Sequence, residues 1–167
     1  MKKVRVAGIT KSSVVDGLGI RTVVFFQGCP RHCPGCHNED TIPFAGGQEM
    51  TVSQLAAEIN NSISPMTKGI TFSGGDPLAQ PEALVEVIEI LRQQQPNLDI
   101  WVYTGYTFEE VQDNPVMKVI DVLVDGPFIQ AQRDISLAFR GSTNQRLIDM
   151  PKTLAAGKLV LLQLDTE

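Results

Sequence analysis

Cysteine is scarce in this chain of 167 residues: Cys29, Cys33 and Cys36 are the whole complement, and all three fall between positions 29 and 36. A disulfide framework would distribute an even set of cysteines along the sequence, so this one is excluded and a reducing compartment, the cytoplasm, is expected. Long apolar runs are lacking too, since no stretch approaches the ~20 residues of a membrane span. Met1-Lys2-Lys3 starts like an export signal, but Arg5 interrupts it and no apolar segment of sufficient length follows. Positive charge is not in excess: 14 Lys and Arg face 19 Asp and Glu, a net charge of −5. No general electrostatic footprint for nucleic acid or an anionic membrane results, and neither is expected as a partner. Repeats and low-complexity tracts are absent as well. With 43% apolar and 20% charged residues, the length suits one domain over 1–167 and leaves little room for a second.

What is present concentrates in residues 21–41, RTVVFFQGCPRHCPGCHNEDT. Val23 to Phe26 reads as a buried strand, and the cysteines begin three residues past its end, where such strands deliver chemistry. Three readings of the spacing stand open. An iron–sulfur cluster usually takes four thiolates, so three would leave one iron without a cysteine, open to a small molecule. Pro30, Pro34 and Gly35 suit the tight loop that this requires. A Cys3His zinc site could recruit His32 or His37, although such sites usually join two separated ligand pairs. A redox dithiol, Cys33-Pro-Gly-Cys36, would leave Cys29 unexplained and need a thioredoxin topology.

Along the chain, Val4 to Ile9 alternates as a first edge strand, and Asp16-Gly17-Leu18-Gly19 is a turn into a strand over Thr22 to Phe26. Val52, Leu55, Ala56 and Ile59 give a helical stripe over 51–62, opened by a Thr51/Gln54 capping box. A strand over Gly69 to Phe72 runs into Ser73-Gly74-Gly75-Asp76-Pro77, and Leu84, Val87, Ile88 and Leu91 mark a helix from Pro81 to Gln95. Gly-Gly-Asp-Pro by itself reads as a plain strand-to-helix turn. The next strand, Asp99 to Tyr103, ends in Thr104-Gly105-Tyr106; a short helical connection over 107–118 is interrupted at Pro115. A strand over Val119 to Val124 ends in Asp125-Gly126-Pro127-Phe128. From 126 to 157 few elements are legible, and Arg133, Arg140 and Arg146 there read as a solvated surface. Lys158 to Gln163 offers a last strand.

Strands that end one after another in glycine-bearing polar loops, with helical crossovers between them, predict an α/β fold with functional loops on one rim of a βα barrel. A complete barrel needs ~200 residues or more, so a partial, open, TIM-like barrel is expected. An open mouth could admit a loop from a large protein partner.

The C-x3-C-x2-C spacing after an apolar strand resembles the cluster motif of the radical S-adenosylmethionine superfamily. More narrowly, Val15 to Thr41, with Asp16-Gly17, Gly19, Arg21, Gly28 and Asn38 around the cysteines, is similar to the start of the glycyl-radical-enzyme activating enzymes. Within that group, CPGC followed by His37 and Asn38, with Asp125 to Phe128 and Arg140 to Arg146 (RGSTNQR), most resembles the activating proteins of anaerobic ribonucleoside-triphosphate reductases. These motifs span Val15 to Arg146. The pyruvate formate-lyase type of activating enzyme shares the front third of the pattern, but its chains are typically longer and the RGSTNQR segment argues against it.

The resemblance implies a partial barrel of the radical S-adenosylmethionine type and a [4Fe-4S] cluster held by Cys29, Cys33 and Cys36. S-adenosylmethionine would chelate the open iron. One electron from a low-potential donor such as flavodoxin or ferredoxin would cleave it to methionine and a 5′-deoxyadenosyl radical, which takes a hydrogen atom from a glycine of the partner reductase. Gly35, Cys36 and His37 would lie against the adenine, and Gly74, Gly75 and Asp76 against the methionine end. Many relatives carry an aromatic residue before the third cysteine; Gly35 stands there, and His37 would substitute for it.

Overall fold

Short runs of β-branched and aromatic residues, separated by amphipathic helices, are the ingredients of a sheet covered on one face. The computed structural model describes residues 3–14, 17–27, 47–134 and 136–163. In chain order, its elements are β1 (Lys3–Ser13), β2 (Arg21–Phe26), β3 (Gln48–Thr51), α1 (Val52–Ser62), β4 (Gly69–Gly74), α2 (Pro81–Gln94), β5 (Asp99–Tyr103), α3 (Phe108–Val111), β6 (Val122–Asp125), β7 (Arg146–Asp149) and α4 (Met150–Ala156). The strands form one unclosed sheet of seven in the order β3-β1-β2-β4-β5-β6-β7. Its middle four, β2, β4, β5 and β6, run parallel, and β1, β3 and β7 are antiparallel additions at the two sides. This is the expected partial barrel.

Alternation along the strands sends Val24, Phe26, Ile70, Phe72, Ile100, Val102 and Leu123 to the helix-covered face, where they pack with Leu55, Ile59, Leu84, Ile88 and Leu91. Each such fully buried side chain contributes about 1.5–3 kcal/mol over its exposed state. The opposite face carries Trp101, Val122, Val124 and Leu147, with Tyr103 and Phe139 packed against them. Thr51 caps α1 as expected: its hydroxyl accepts from the Gln54 N–H at 3.1 Å, and its own N–H donates to Gln54 Oε1 at 2.8 Å.

The lower end of the barrel is closed by a buried cation. Arg21, at the start of β2, donates through Nε to Thr71 Oγ1 at 2.8 Å, through Nη1 to the Leu18 carbonyl at 2.8 Å and through Nη2 to Asp99 Oδ1 at 2.5 Å. Its guanidinium also stands 5.3 Å from the centre of the Trp101 ring. Gly17 has φ +135° and lies against this side chain, where a Cβ would sit 2.8 Å from Arg21 Cδ. Gly17 and Arg21 thus form the floor of the barrel.

Four expectations need correction. β1 extends to Ser13 and lies between β2 and β3, so it is not the edge; β3, only four residues long and half exposed, left no apolar pattern to detect. The strand expected from Val119 begins at Val122, because Pro115–Lys118 form a 3-10 turn that the Val119 N–H closes onto the Val116 carbonyl at 3.1 Å. Within the stretch that looked irregular lie β7 and α4; polar Arg146 and Asp149 bracket only two buried residues, Leu147 and Ile148, and Asp149 Oδ1 caps α4 by accepting the Lys152 N–H at 3.0 Å. Lys158 to Gln163 makes a single bridge, Leu161 to Ile148, rather than a strand. Among the described residues, no helix is long and apolar enough to cross a membrane.

Candidate functional site at the carboxyl rim

Parallel strands direct their carboxyl ends to one rim, and the loops that follow those ends carry the chemistry of βα barrels. β2 and β4 reach this rim together, with Phe26 opposite Gly74. The Gly75 N–H donates to the Phe26 carbonyl at 2.8 Å, which folds the Gly74–Gly75 backbone over the end of β2. Gly74 has φ +105°, and a Cβ there would run into the Phe26 backbone. Only glycine allows so close an approach.

Gln27, just past the end of β2, is the last described residue before the cysteine segment. Its N–H donates to the Arg5 carbonyl at 3.1 Å, and its carbonyl accepts Gln80 Nε2 at 3.2 Å. The chain returns at Gly47, where a Cβ would sit 2.8 Å from Gln27 Cβ. Gln27 and Gly47, the described residues on either side of 28–46, therefore meet at this rim, next in the chain to Phe26, which pairs with Gly74. Cys29, Cys33, Cys36, Gly35 and His37 lie in that segment, outside the described residues.

Asp76 is fully buried. Its Oδ1 accepts the Leu78 N–H at 3.0 Å and the Thr104 hydroxyl at 3.0 Å; Oδ2 accepts the Gly105 N–H at 2.9 Å and lies 3.1 Å from Thr104 Oγ1. The carboxylate expected beside the methionine end is thus turned into the loop after β5. Thr104 Oγ1 accepts the Tyr106 N–H at 3.1 Å, and the Tyr106 carbonyl accepts the Gly126 N–H at 2.8 Å. The loops after β4, β5 and β6 are linked in sequence along the rim.

At the end of β6, buried Asp125 accepts the Phe108 N–H at 2.7 Å and takes Arg146 Nε and Nη2 at 3.1 and 2.5 Å. Arg146 also reaches Glu109 at 2.7 Å. The hydrogen bonds that Arg146 donates to Asp125 and then to Glu109 hold its proton more firmly than an ordinary arginine's, and the Arg146 bond pulls the Glu109 carboxyl below its usual range. The RGSTNQR segment folds back onto DGPF: Asn144 Nδ2 donates to the Pro127 carbonyl at 2.8 Å, and Gln145 Nε2 to the Gly126 carbonyl at 3.0 Å. Phe139 stands edge-on to Trp101, ring centres 5.4 Å apart. Arg140 is half-buried beside Tyr103, and burial lowers its pKa. Arg146, which composition assigned to solvated surface, is instead the central cation of a structural clasp.

The sequence pointed to the glycines and Asp76, but not to Thr104, Gln80 or the Asp125–Arg146 pair. The polar, glycine-bearing loop after β5 was the only signal available for Thr104.

Glycine is required at Gly74, where β4 packs onto the end of β2, and the described residues that flank the three-cysteine segment, Gln27 and Gly47, meet at the same rim. An unclosed barrel with its loops joined on one rim is the architecture of the radical S-adenosylmethionine class. The crystal structure of QueE from Escherichia coli superposes with a TM-score of 0.51 at 15% identity, covering 63% of this chain and 53% of that chain, a likeness of fold. Residues 15–148 match the family model described as a 4Fe-4S single cluster domain. Anaerobic ribonucleoside-triphosphate reductase-activating proteins are similar over most of their length: that of Escherichia coli K12 is 40% identical over 79% of this chain and 90% of its own. That of Haemophilus influenzae is 37% identical over 80% and 90%, and that of Enterobacteria phage T4 is 36% identical over 80% and 86%. The chain belongs to the family of anaerobic ribonucleoside-triphosphate reductase-activating proteins, enzymes that use a [4Fe-4S] cluster and S-adenosylmethionine.

Proposed function

We propose that this protein reductively cleaves S-adenosylmethionine and generates a glycyl radical on an anaerobic ribonucleoside-triphosphate reductase. The observation that carries the reading is the 40% identity to the Escherichia coli activating protein across 90% of that protein's length. When bound, the cluster and S-adenosylmethionine together supply a one-electron cleavage and a radical able to take hydrogen from a glycine Cα.

In this reading, Cys29, Cys33 and Cys36 would hold the cluster, and with three thiolates rather than four it would have a position left for S-adenosylmethionine. Gly74 and Gly75 turn backbone carbonyls toward the ammonium, a cation that needs acceptors and tolerates no Cβ between. Gly35, Cys36 and His37 lie against the adenine. Asp76 sits behind the glycines and carries negative charge close to the ammonium. The apolar cluster of Trp101, Val122, Val124 and Leu147, on the sheet face away from the helices, would contribute to keeping water from the site. The unclosed sheet leaves a side through which a glycine-bearing loop of the reductase enters. A low-potential one-electron donor of the flavodoxin or ferredoxin kind supplies the electron, and the setting is the cytoplasm.

Electron paramagnetic resonance of the anaerobically reconstituted, reduced protein tests the reading. The expected result is a [4Fe-4S]+ signal that changes when S-adenosylmethionine is added, then a glycyl-radical doublet when the reductase is present. One zinc retained without sulfide would instead identify a Cys3His adaptor. Cleavage without any doublet on the reductase would remove the assigned partner.

A further inference from the structure

The loops after β4 and β5 belong to neighbouring parallel strands, yet the ladder between those strands ends at the Phe72–Val102 pair. Beyond it, the Asp76 side chain bridges the two loops. Both carboxylate oxygens are engaged there, by the Leu78 N–H on the side of β4 and by the Thr104 hydroxyl and Gly105 N–H on the side of β5. Thr104 is itself buried, at 6% exposure, and its hydroxyl accepts the Tyr106 N–H while giving its one proton to Asp76. Its oxygen thus stands at the junction of both loops.

The geometry points to Thr104 as a positioning residue for S-adenosylmethionine: by engaging Asp76 it fixes the Gly74–Gly75 backbone against the loop after β5, and so sets the direction of the carbonyls that receive the ammonium. The inference rests on the cofactor placement proposed above. It assigns Asp76 an indirect role, in which the carboxylate is an anchor whose lone pairs serve the protein. Were Asp76 instead a direct ligand of the ammonium, removing the Thr104 hydroxyl would release lone pairs to the cofactor and tighten its binding. The two roles therefore predict opposite signs.

The test compares wild type with Thr104→Val, close to threonine in shape but without the hydroxyl, and with Thr104→Ala and Thr104→Ser, all as cluster-loaded protein under anaerobic conditions. The dissociation constant for S-adenosylmethionine is measured by equilibrium dialysis, alongside iron and sulfide content and amide exchange at Gly105 and Tyr106. The expected result is binding weakened about tenfold or more in Val and Ala, the scale of a hydrogen bond to a charged group. Iron and sulfide should be retained, the two amides should exchange faster, and Ser should stay within about twofold of wild type, since the same bond is remade. Ala is the second removal variant should Val misfold. Binding in either variant that equals or exceeds wild type overturns the positioning role, as does weakened binding that Ser fails to restore. Loss of iron in step with loss of binding also overturns it, because the residue then maintains the fold rather than the cradle. Wild-type protein that takes no S-adenosylmethionine overturns the cofactor reading itself, an outcome distinct from all of these.

Discussion

Replacing Arg146 by methionine is expected to destabilise the protein far more than the loss of an ordinary surface arginine. Asp125 is 1% exposed, and besides the Phe108 N–H at 2.7 Å its carboxylate takes both Nε and Nη2 of Arg146, at 3.1 and 2.5 Å. Methionine keeps much of the aliphatic stem and removes the charge, so the carboxylate stays buried with its main cation gone. Removing one member of a buried pair costs about 3–5 kcal/mol. The Arg146 side chain is 32% exposed, so water can reach part of the space it vacates, and the Phe108 bond persists. Discounting for that solvent access leaves about 2–3 kcal/mol. For a chain of this length, that corresponds to a fall of roughly 5–10 °C in the thermal midpoint. The assay is thermal unfolding followed by far-ultraviolet circular dichroism, with Glu109→Gln as control: that partner is 62% exposed, so its loss should cost only about 0.5–1 kcal/mol. Adding Asp125→Asn to Arg146→Met should recover part of the loss, because the uncompensated charge is then gone. A midpoint for Arg146→Met no lower than that of Glu109→Gln would refute the reasoning and return Arg146 to the solvated surface.

Gly74→Ala should lose about 1–2 kcal/mol to its positive φ alone and more to the collision with the Phe26 backbone, seen as a lower unfolding midpoint together with weaker S-adenosylmethionine binding. Alanine at Cys29, Cys33 or Cys36 should abolish S-adenosylmethionine cleavage and lower bound iron while far-ultraviolet circular dichroism is retained; full cleavage by any of them would sink the ligand assignment. The Glu109 carboxyl, pulled below its ordinary 4.5 mainly by the Arg146 hydrogen bond, contributes stability that is present above pH about 4.5 and is lost as pH falls through the lowered value. A carboxyl-carbon nuclear magnetic resonance titration should therefore place Glu109 below 4.5 in wild type and move it upward in Arg146→Met.

Local chemistry made much of this protein legible before any coordinates. The spacing of Cys29, Cys33 and Cys36 left a cluster, a zinc site and a redox dithiol open, and the resemblance of Val15 to Thr41 to the glycyl-radical-enzyme activating enzymes singled out the cluster. The helical stripes Val52-Leu55-Ala56-Ile59 and Leu84-Val87-Ile88-Leu91 are periodic over several turns, and the central strands carry apolar runs such as Val23 to Phe26 and Ile100 to Val102 because both their faces are buried. The partial barrel followed from those strands and from a length too short to close the ring.

Other features depend on partners distant in sequence, and no local pattern reports them. β3 and β7 are each four residues long and are strands only because β1 and β6 offer them a ladder. Arg21 and Arg146 read alike as charges; the fold buries one as the barrel's floor and clasps the other between Asp125 and Glu109. Asp76 and Thr104 lie 28 positions apart, and the sequence placed the aspartate beside the cofactor without showing what its oxygens would hold. That was decided by the parallel pairing of β4 with β5, which brings the ends of both strands to the same height and turns a buried carboxylate toward the hydroxyl and amide donors nearest to it.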